Sequence, residues 1–265
     1  MGGPIKISKT VLSSSIYGLA VTKAVSYIIL DTDDYRQIFC DTTSGDITIT
    51  LPLKSNNLNR IIQISHIKGT NKVIINPHAT DASKLSNDGL NVIWLPKIGN
   101  YVVFQENATS GFWEIVCERI ASQLRLDGYA GYGSTDTRIM RFTTLTEFYG
   151  NLFSENHSTG YSSNAKGLEI TINRSGRYSL DISGSSAAGA AAGPGLSVNS
   201  NQLTTAIYSI TTANFLGWLD MPAGGYRGLL SSTRYFSKND IIRLHADGVA
   251  PDSPTTSFIS IVYLG

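Results

Sequence analysis

Charge is scarce in this chain, cysteine scarcer, and long apolar runs are absent. Charged side chains make up 15% of the 265 residues, against about 25% in typical globular domains. The 21 Lys and Arg nearly cancel the 20 Asp and Glu and leave a net charge of +1. That balance excludes capture of nucleic acid or anionic membrane by long-range attraction. No Lys/Arg cluster supplies the basic groove that a stacking-based single-strand binder needs. No apolar stretch approaches the ~20 residues that span a bilayer, so membrane insertion is not expected. The start, Met1-Gly2-Gly3-Pro4-Ile5-Lys6, lacks a charged leader followed by an apolar core and a small-residue cleavage site. Cys40 and Cys117 both fall in strand-like runs, too few and too far apart for a zinc site. They read as small buried apolar residues, with pairing across neighbouring strands left open.

Recognisable catalytic and metal-binding spacings are missing too. His66, His78, His157 and His245 stand apart, with no i, i+4 pair of the kind that holds a metal on a helix. Each reads as a turn or strand-surface residue, and His245 as part of a sheet face in contact with a neighbour. Asp31, Asp33 and Asp34 form an acidic turn that side-chain capping accounts for. Asp247 and Asp252 flank the last long loop, where hard oxygen donors suit calcium, but an EF-hand spacing is absent. The run from Ser185 to Gly195 is made of small residues and lacks the Lys and Ser/Thr of a phosphate loop, so it reads as a tight loop. No catalytic residue, metal or cofactor is assigned.

What is abundant is the short β-branched and aromatic run bounded by Gly, Asn and Asp. Residues 1–22 are Ser-rich and are expected to be extended, because Ser13-Ser14-Ser15 is a poor helix interior. A short helical seam is the alternative, since Ile5, Leu12 and Leu19 stand seven apart. Residues 23–121 carry eight such runs, beginning at Tyr27-Leu30 and ending at Gly111-Cys117. Ile47, Ile49 and Leu51 alternate with Thr48 and Thr50, so one face is buried and the other hydroxylated. Pro52 ends that run because it cannot donate to a ladder. The stretch Asp41 to Pro52, with the later Gly111-Phe112-Trp113-Glu114-Ile115-Val116, resembles a small β domain recurring in bacteriophage tail fibres and tailspikes. That resemblance implies a small antiparallel shaft or collar domain.

Residues 122–137 contain Asp127-Gly128-Tyr129-Ala130-Gly131-Tyr132-Gly133, a Gly-rich and lightly charged stretch expected to be a linker. Residues 138–265 form a second set of runs: 138–142, 167–172, 176–183, 195–199, 202–208, and the closing pieces from Tyr226 to Gly265. Gly176-Arg177-Tyr178 and Ser237-Lys238-Asn239-Asp240-Ile241-Ile242, with the final run Ser257 to Leu264, resemble the complement and tumour-necrosis-factor-like jelly roll. Asn239 stands where that family commonly has Gly, and Asn also accepts a left-handed conformation. The expected fold is therefore all-β, a small antiparallel domain followed by a C-terminal jelly-roll sandwich, and the resemblance implies a homotrimer that binds partners and is not an enzyme.

Together the two resemblances imply a phage tail protein, made in the host cytoplasm and carried on the virion, that binds a host cell-surface glycan or protein receptor alongside other tail proteins. The candidate receptor-binding residues are Tyr161, Trp218, Tyr226, Arg227 and Tyr235, aromatics and Arg being the side chains that most often anchor recognition. Phe215 and Trp218 alternate with Leu216 and Leu219, and core packing is the competing reading for both. The alternatives are a polysaccharide depolymerase or esterase, or a bacterial surface adhesin with the same head. A depolymerase tailspike resembles a long parallel β-helix, and no such repeat is apparent.

Overall fold

Strands with one aliphatic and one polar face must bury the aliphatic face against a second sheet. In the computed structural model they do so in four sheets. Residues 19–57, 59–81, 85, 90–106, 112–132, 136–156, 166–185, 193–219, 227–246 and 257–265 are described. Among them are strands and three short 3-10 turns, and no α-helix. The chain divides into two compact units, Met1–Ala121 and Ser122–Gly265.

The first unit contains β1 (Leu19–Lys23), β2 (Tyr27–Ile28), β3 (Tyr35–Asp41), β4 (Ile47–Thr50), β5 (Ile61–Lys68), β6 (Val73–Asn76), β7 (Ile93–Leu95), β8 (Tyr101–Glu106) and β9 (Trp113–Arg119). Strands β1 to β6 alternate between two sheets, ordered β1-β3-β5-β8-β9 and β2-β4-β6-β7. The pairs β1/β3, β3/β5, β2/β4 and β4/β6 are parallel, and the pairs involving β7, β8 and β9 are antiparallel. This corrects the antiparallel expectation. From β1 to β6 each strand hands over to the opposite sheet, so the chain returns to its own sheet one full coil later and in the same direction.

The result is a short parallel solenoid, closed by antiparallel strands at one side. Gln37 lies opposite Gln63 and Ile47 opposite Val73, an offset of 26 residues in both sheets. That spacing is not regular along the unit, since Ala20 lies opposite Gln37 and Tyr27 opposite Ile49, offsets of 17 and 22 residues. Its inward positions form aliphatic ladders, Ile38–Ile64–Val102 in one sheet and Ile49–Ile75–Ile93 in the other. All six are fully buried, each contributing about 1.5–3 kcal/mol by leaving water. Trp113, also fully buried, donates from its indole to the Pro52 carbonyl at 3.3 Å, tying the two quoted motifs together.

The second unit opens with β10 (Gln123–Tyr132), followed by β11 (Met140–Tyr149), β12 (Phe153–Asn156), β13 (Glu169–Ile172), β14 (Gly176–Ser185), β15 (Gly195–Val198), β16 (Phe215–Trp218), β17 (Arg227–Phe236), β18 (Ile241–His245) and β19 (Phe258–Tyr263). The stretch expected as a linker is therefore largely strand. Leu124 and Leu126 face the core, opposite Ile261 and Ile259, and this burial outweighs the flexibility of Gly128 and Gly131. The sheets are ordered β11-β10-β19-β14-β17 and β12-β13-β18-β15-β16, with every pair antiparallel. Each sheet interleaves strands from both ends of the unit, which is a jelly roll.

The last strand, β19, sits in the middle of its sheet. A Cβ at Gly176 would lie 2.6 Å from Tyr263 Cε2, so only Gly lets that ring close over the strand. Tyr178 packs beside it, its ring centroid 5.1 Å from Tyr263, 5.4 Å from Phe153 and 6.0 Å from Phe236. Asn239 adopts the expected left-handed conformation, with φ 71°. Three expectations fail across the two units, one of them the burial of Cys117, which is exposed on β9. Residues 202–208 form turns, ending in a 3-10 turn at Ile207–Ser209, rather than a strand. His66 and His245 are buried rather than on a strand surface.

Candidate functional site

A pocket of the second unit lies where β16 meets the two 3-10 turns that precede it, Ile207–Ser209 and Thr212–Asn214. It is lined by Tyr208, Ile210, Thr212, Phe215 and Trp218 and encloses about 220 Å³. Its position follows from close packing below it. Gly195 of β15 pairs with Trp218, and the Ile207 side chain rests directly on that glycine. A Cβ there would lie 2.2 Å from Ile207 Cγ1 and 2.8 Å from Trp218 Cβ. Glycine is thus what allows the turn to sit against the strand pair.

The turns are held by their own hydrogen bonds. Ser209 N donates to the Ala206 carbonyl at 2.9 Å, Asn214 N to the Thr211 carbonyl at 2.8 Å, and Ile207 N to the Ala246 carbonyl at 3.1 Å. Thr211 N donates to Gln202 Oε1, and Asn214 Nδ2 to the Val198 carbonyl, both at 2.8 Å. The backbone therefore presents the aromatic rings from a fixed frame. Ile207 is buried, whereas Tyr208 is 63% exposed. The Tyr208 and Trp218 rings lie 6.2 Å apart at 59°, forming two walls of a corner. The Trp218 indole N–H and the hydroxyls of Tyr208 and Thr212 have no hydrogen-bond partner among the described residues. None of the lining residues among those described is charged.

Of the five residues named from sequence, Trp218 lines this pocket and the described Tyr235 does not. Tyr235 stands on β17 and is 68% exposed. Its neighbour Arg234 reaches across to the Leu216 carbonyl of β16 at 2.9 Å. Side chains alternate along a strand, so Tyr235 points to the opposite face. Arg227 begins β17 opposite Ser185, but its side chain lies outside the described residues, as do Tyr161 and Tyr226. Asp247, Asp252 and His157 also lie outside them. Phe215, weighed as core, is half-buried and lines the pocket. Tyr208 was missed because Gln202-Leu203-Thr204-Thr205-Ala206-Ile207-Tyr208 has the composition of a strand.

The first unit holds a polar concavity of about 250 Å³ around Asp31, Asp33, Asp34, Arg36, Asn56, Asn57 and Arg60. Its groups are engaged with one another. Asn56 Nδ2 and Asn57 Nδ2 donate to the Asp31 carboxylate at 2.6 and 2.7 Å, and these bonds hold its pKa below the ordinary carboxylate value. Asp33 accepts from Leu30 N at 2.8 Å and from the Tyr27 hydroxyl at 2.7 Å. Arg60 donates to the carbonyls of Leu30, Asp33 and Tyr35. The acidic turn is a clasp for the solenoid, in keeping with the capping reading. No group of three or more His, Cys, Asp or Glu poised for a metal occurs among the described residues.

Fold and pocket together define an all-β protein whose second unit is a jelly roll. No family model matches the chain, and no curated protein matches it. Among solved structures it is similar to murine APRIL at pH 8.5, with 11% identity over 54% of this chain and 99% of that one, at a TM-score of 0.39. It is also similar to pika GITRL, with 10% identity over 55% of this chain and 96% of that one, at 0.32. For GITRL from bushbaby the values are 13%, 54%, 94% and 0.29.

Proposed function

We propose that the chain is a receptor-binding protein of a bacteriophage tail, attaching the virion to the host cell surface through its second unit. The pocket around Trp218 carries this reading. Its walls are aromatic and its turns are braced, so a ligand binds with little ordering cost. The first unit serves as shaft or collar and contacts other tail proteins, a role that suits a short solenoid. The receptor is a surface glycan or a protein.

The working assembly is a homotrimer. Leu229 and Tyr235 are exposed on the edge strand β17, and a neighbouring copy would cover apolar surface of this kind. Three identical sites then add avidity without new contacts. Labelled full-length protein should sediment with cells of a susceptible bacterial host and block adsorption of the phage. Failure to bind any host that the phage infects would contradict the assignment. Light scattering at low concentration should give the trimer mass, and a monomer would remove that part.

A polysaccharide depolymerase is a second reading, favoured by one observation, the parallel coils of the first unit. Loss of viscosity of host capsule on incubation with the protein would support it over pure binding.

A further inference from the structure

We infer that the pocket of Tyr208, Phe215 and Trp218 binds one neutral pyranose ring, seated with a C–H face on an aromatic wall. This rests on the receptor-binding reading and gives its site a ligand class. Four observations converge on it.

The first is size. A space of about 220 Å³ falls below the roughly 300–1,000 Å³ of pockets for drug-sized ligands, and suits a single ring. The second is the shape of the walls. Two aromatic rings 6.2 Å apart at 59° offer one face to stack on and a second that meets the ring edge. The face of an aromatic ring carries negative potential and attracts the weakly positive C–H groups that cluster on one side of a pyranose.

The third is the unspent donors. The half-buried Trp218 N–H is without a partner among the described residues, and the exposed hydroxyls of Tyr208 and Thr212 stand beside it on the same pocket. A half-buried Trp normally finds an acceptor for its N–H, and sugar hydroxyls at the rim supply one. The fourth is charge. None of the lining residues among those described is cationic, so a sialic acid, a uronic acid or a phosphate gains no partner from them. A nucleobase would stack equally well, but its backbone phosphate needs the basic track this chain lacks.

The test is titration of the full-length protein with methyl glycosides of glucose, galactose and N-acetylglucosamine, read by saturation-transfer NMR and by Trp fluorescence. N-acetylneuraminic acid and inorganic phosphate serve as charged controls. At least one neutral glycoside should saturate. The exposed Tyr208 can be removed without opening the core, so Tyr208→Ala should weaken binding about tenfold. Trp218→Ala should abolish it, and Trp218→Phe, which keeps a stacking face, should retain part.

Binding of the charged ligands alone would overturn the inference. So would a neutral glycoside whose affinity is unchanged in Tyr208→Ala and Trp218→Phe. If the protein sediments with host cells but no neutral glycoside binds at about 50 mM, the ligand class is wrong and the receptor-binding reading stands. If neutral glycosides bind through Tyr208 but cells are not bound, the pocket is a sugar site and the receptor-binding reading falls.

Discussion

Ser197 and His245 meet in the core of the second unit, Oγ to Nε2 at 2.7 Å. The other ring nitrogen, Nδ1, faces the Thr205 carbonyl at 3.4 Å. A carbonyl only accepts, so Nδ1 carries the proton and Nε2 accepts from the serine hydroxyl. The imidazole is neutral and fully buried. Burial pushes its pKa down from 6.5 to about 4, and the nearby Arg243 guanidinium pushes in the same direction, against the bond to Thr205.

That depression makes stability fall in acid. Below pH 6.5 the unfolded chain takes up a proton that the folded chain refuses until about pH 4. The stabilising term is therefore complete above the unfolded value and is lost as pH falls towards the folded one. The loss is about 3 kcal/mol. Urea unfolding between pH 7 and about 4 should show it, and His245→Gln should flatten the slope. An unchanged slope in the variant would remove His245 as the source.

The second unit also buries an ion pair, Arg141 with Asp136. Arg141 lies on β11, and its Nε and Asp136 Oδ1 have no hydrogen-bond partner among the described residues. Removing the cation leaves a carboxylate uncompensated. Arg141→Met should cost about 3–5 kcal/mol, and the double variant Asp136→Asn/Arg141→Met should recover a large part. A double-mutant cycle by chemical denaturation gives the coupling. A neutral Arg141→Met would show that the pair is solvated in solution.

Gly195 is predicted to be intolerant of any side chain. Its Cβ would press on Ile207 and Trp218, so Gly195→Ala should destabilise by about 1–3 kcal/mol and displace the turn that carries Tyr208. Thermal melting measures the first effect, and the Trp218 emission spectrum reports the second. An unshifted melt and spectrum would mean that the turn does not depend on this contact.

The two thiols should react differently. Cys40 is buried in β3 and its pKa is pushed up to about 12 by burial. Cys117 is exposed on β9, and both are free. One thiol per chain, Cys117, should react with a disulfide reagent in the native protein, and the second only on unfolding. Two native equivalents would mean that the first unit opens readily.

Local pattern exposed much of this fold and concealed one part of its topology. Gly176-Arg177-Tyr178 was readable because the glycine is demanded by the Tyr263 ring above it. Asn239 was readable because a left-handed turn admits few residues. The parallel coils were not, since Ile47-Thr48-Ile49 alternates in the same way whether its partner strand runs parallel or antiparallel. The direct trace was a 26-residue echo of Gln37-Ile38 in Gln63-Ile64 and of Ile47 and Ile49 in Val73 and Ile75. At the site, Trp218 was legible as an aromatic near a loop. Tyr208 was not, because Ile207 beside it is a core residue and the run around it is rich in strand formers.

The central claim is that the second unit recognises the host surface through this pocket. The most direct measurement is binding of full-length wild-type protein, Tyr208→Ala and Trp218→Ala to susceptible cells, with folding of each checked by its melting curve. The account predicts saturable binding by the wild type, clear weakening in Tyr208→Ala and loss in Trp218→Ala, with all three folded. Equal binding by the three proteins would contradict it.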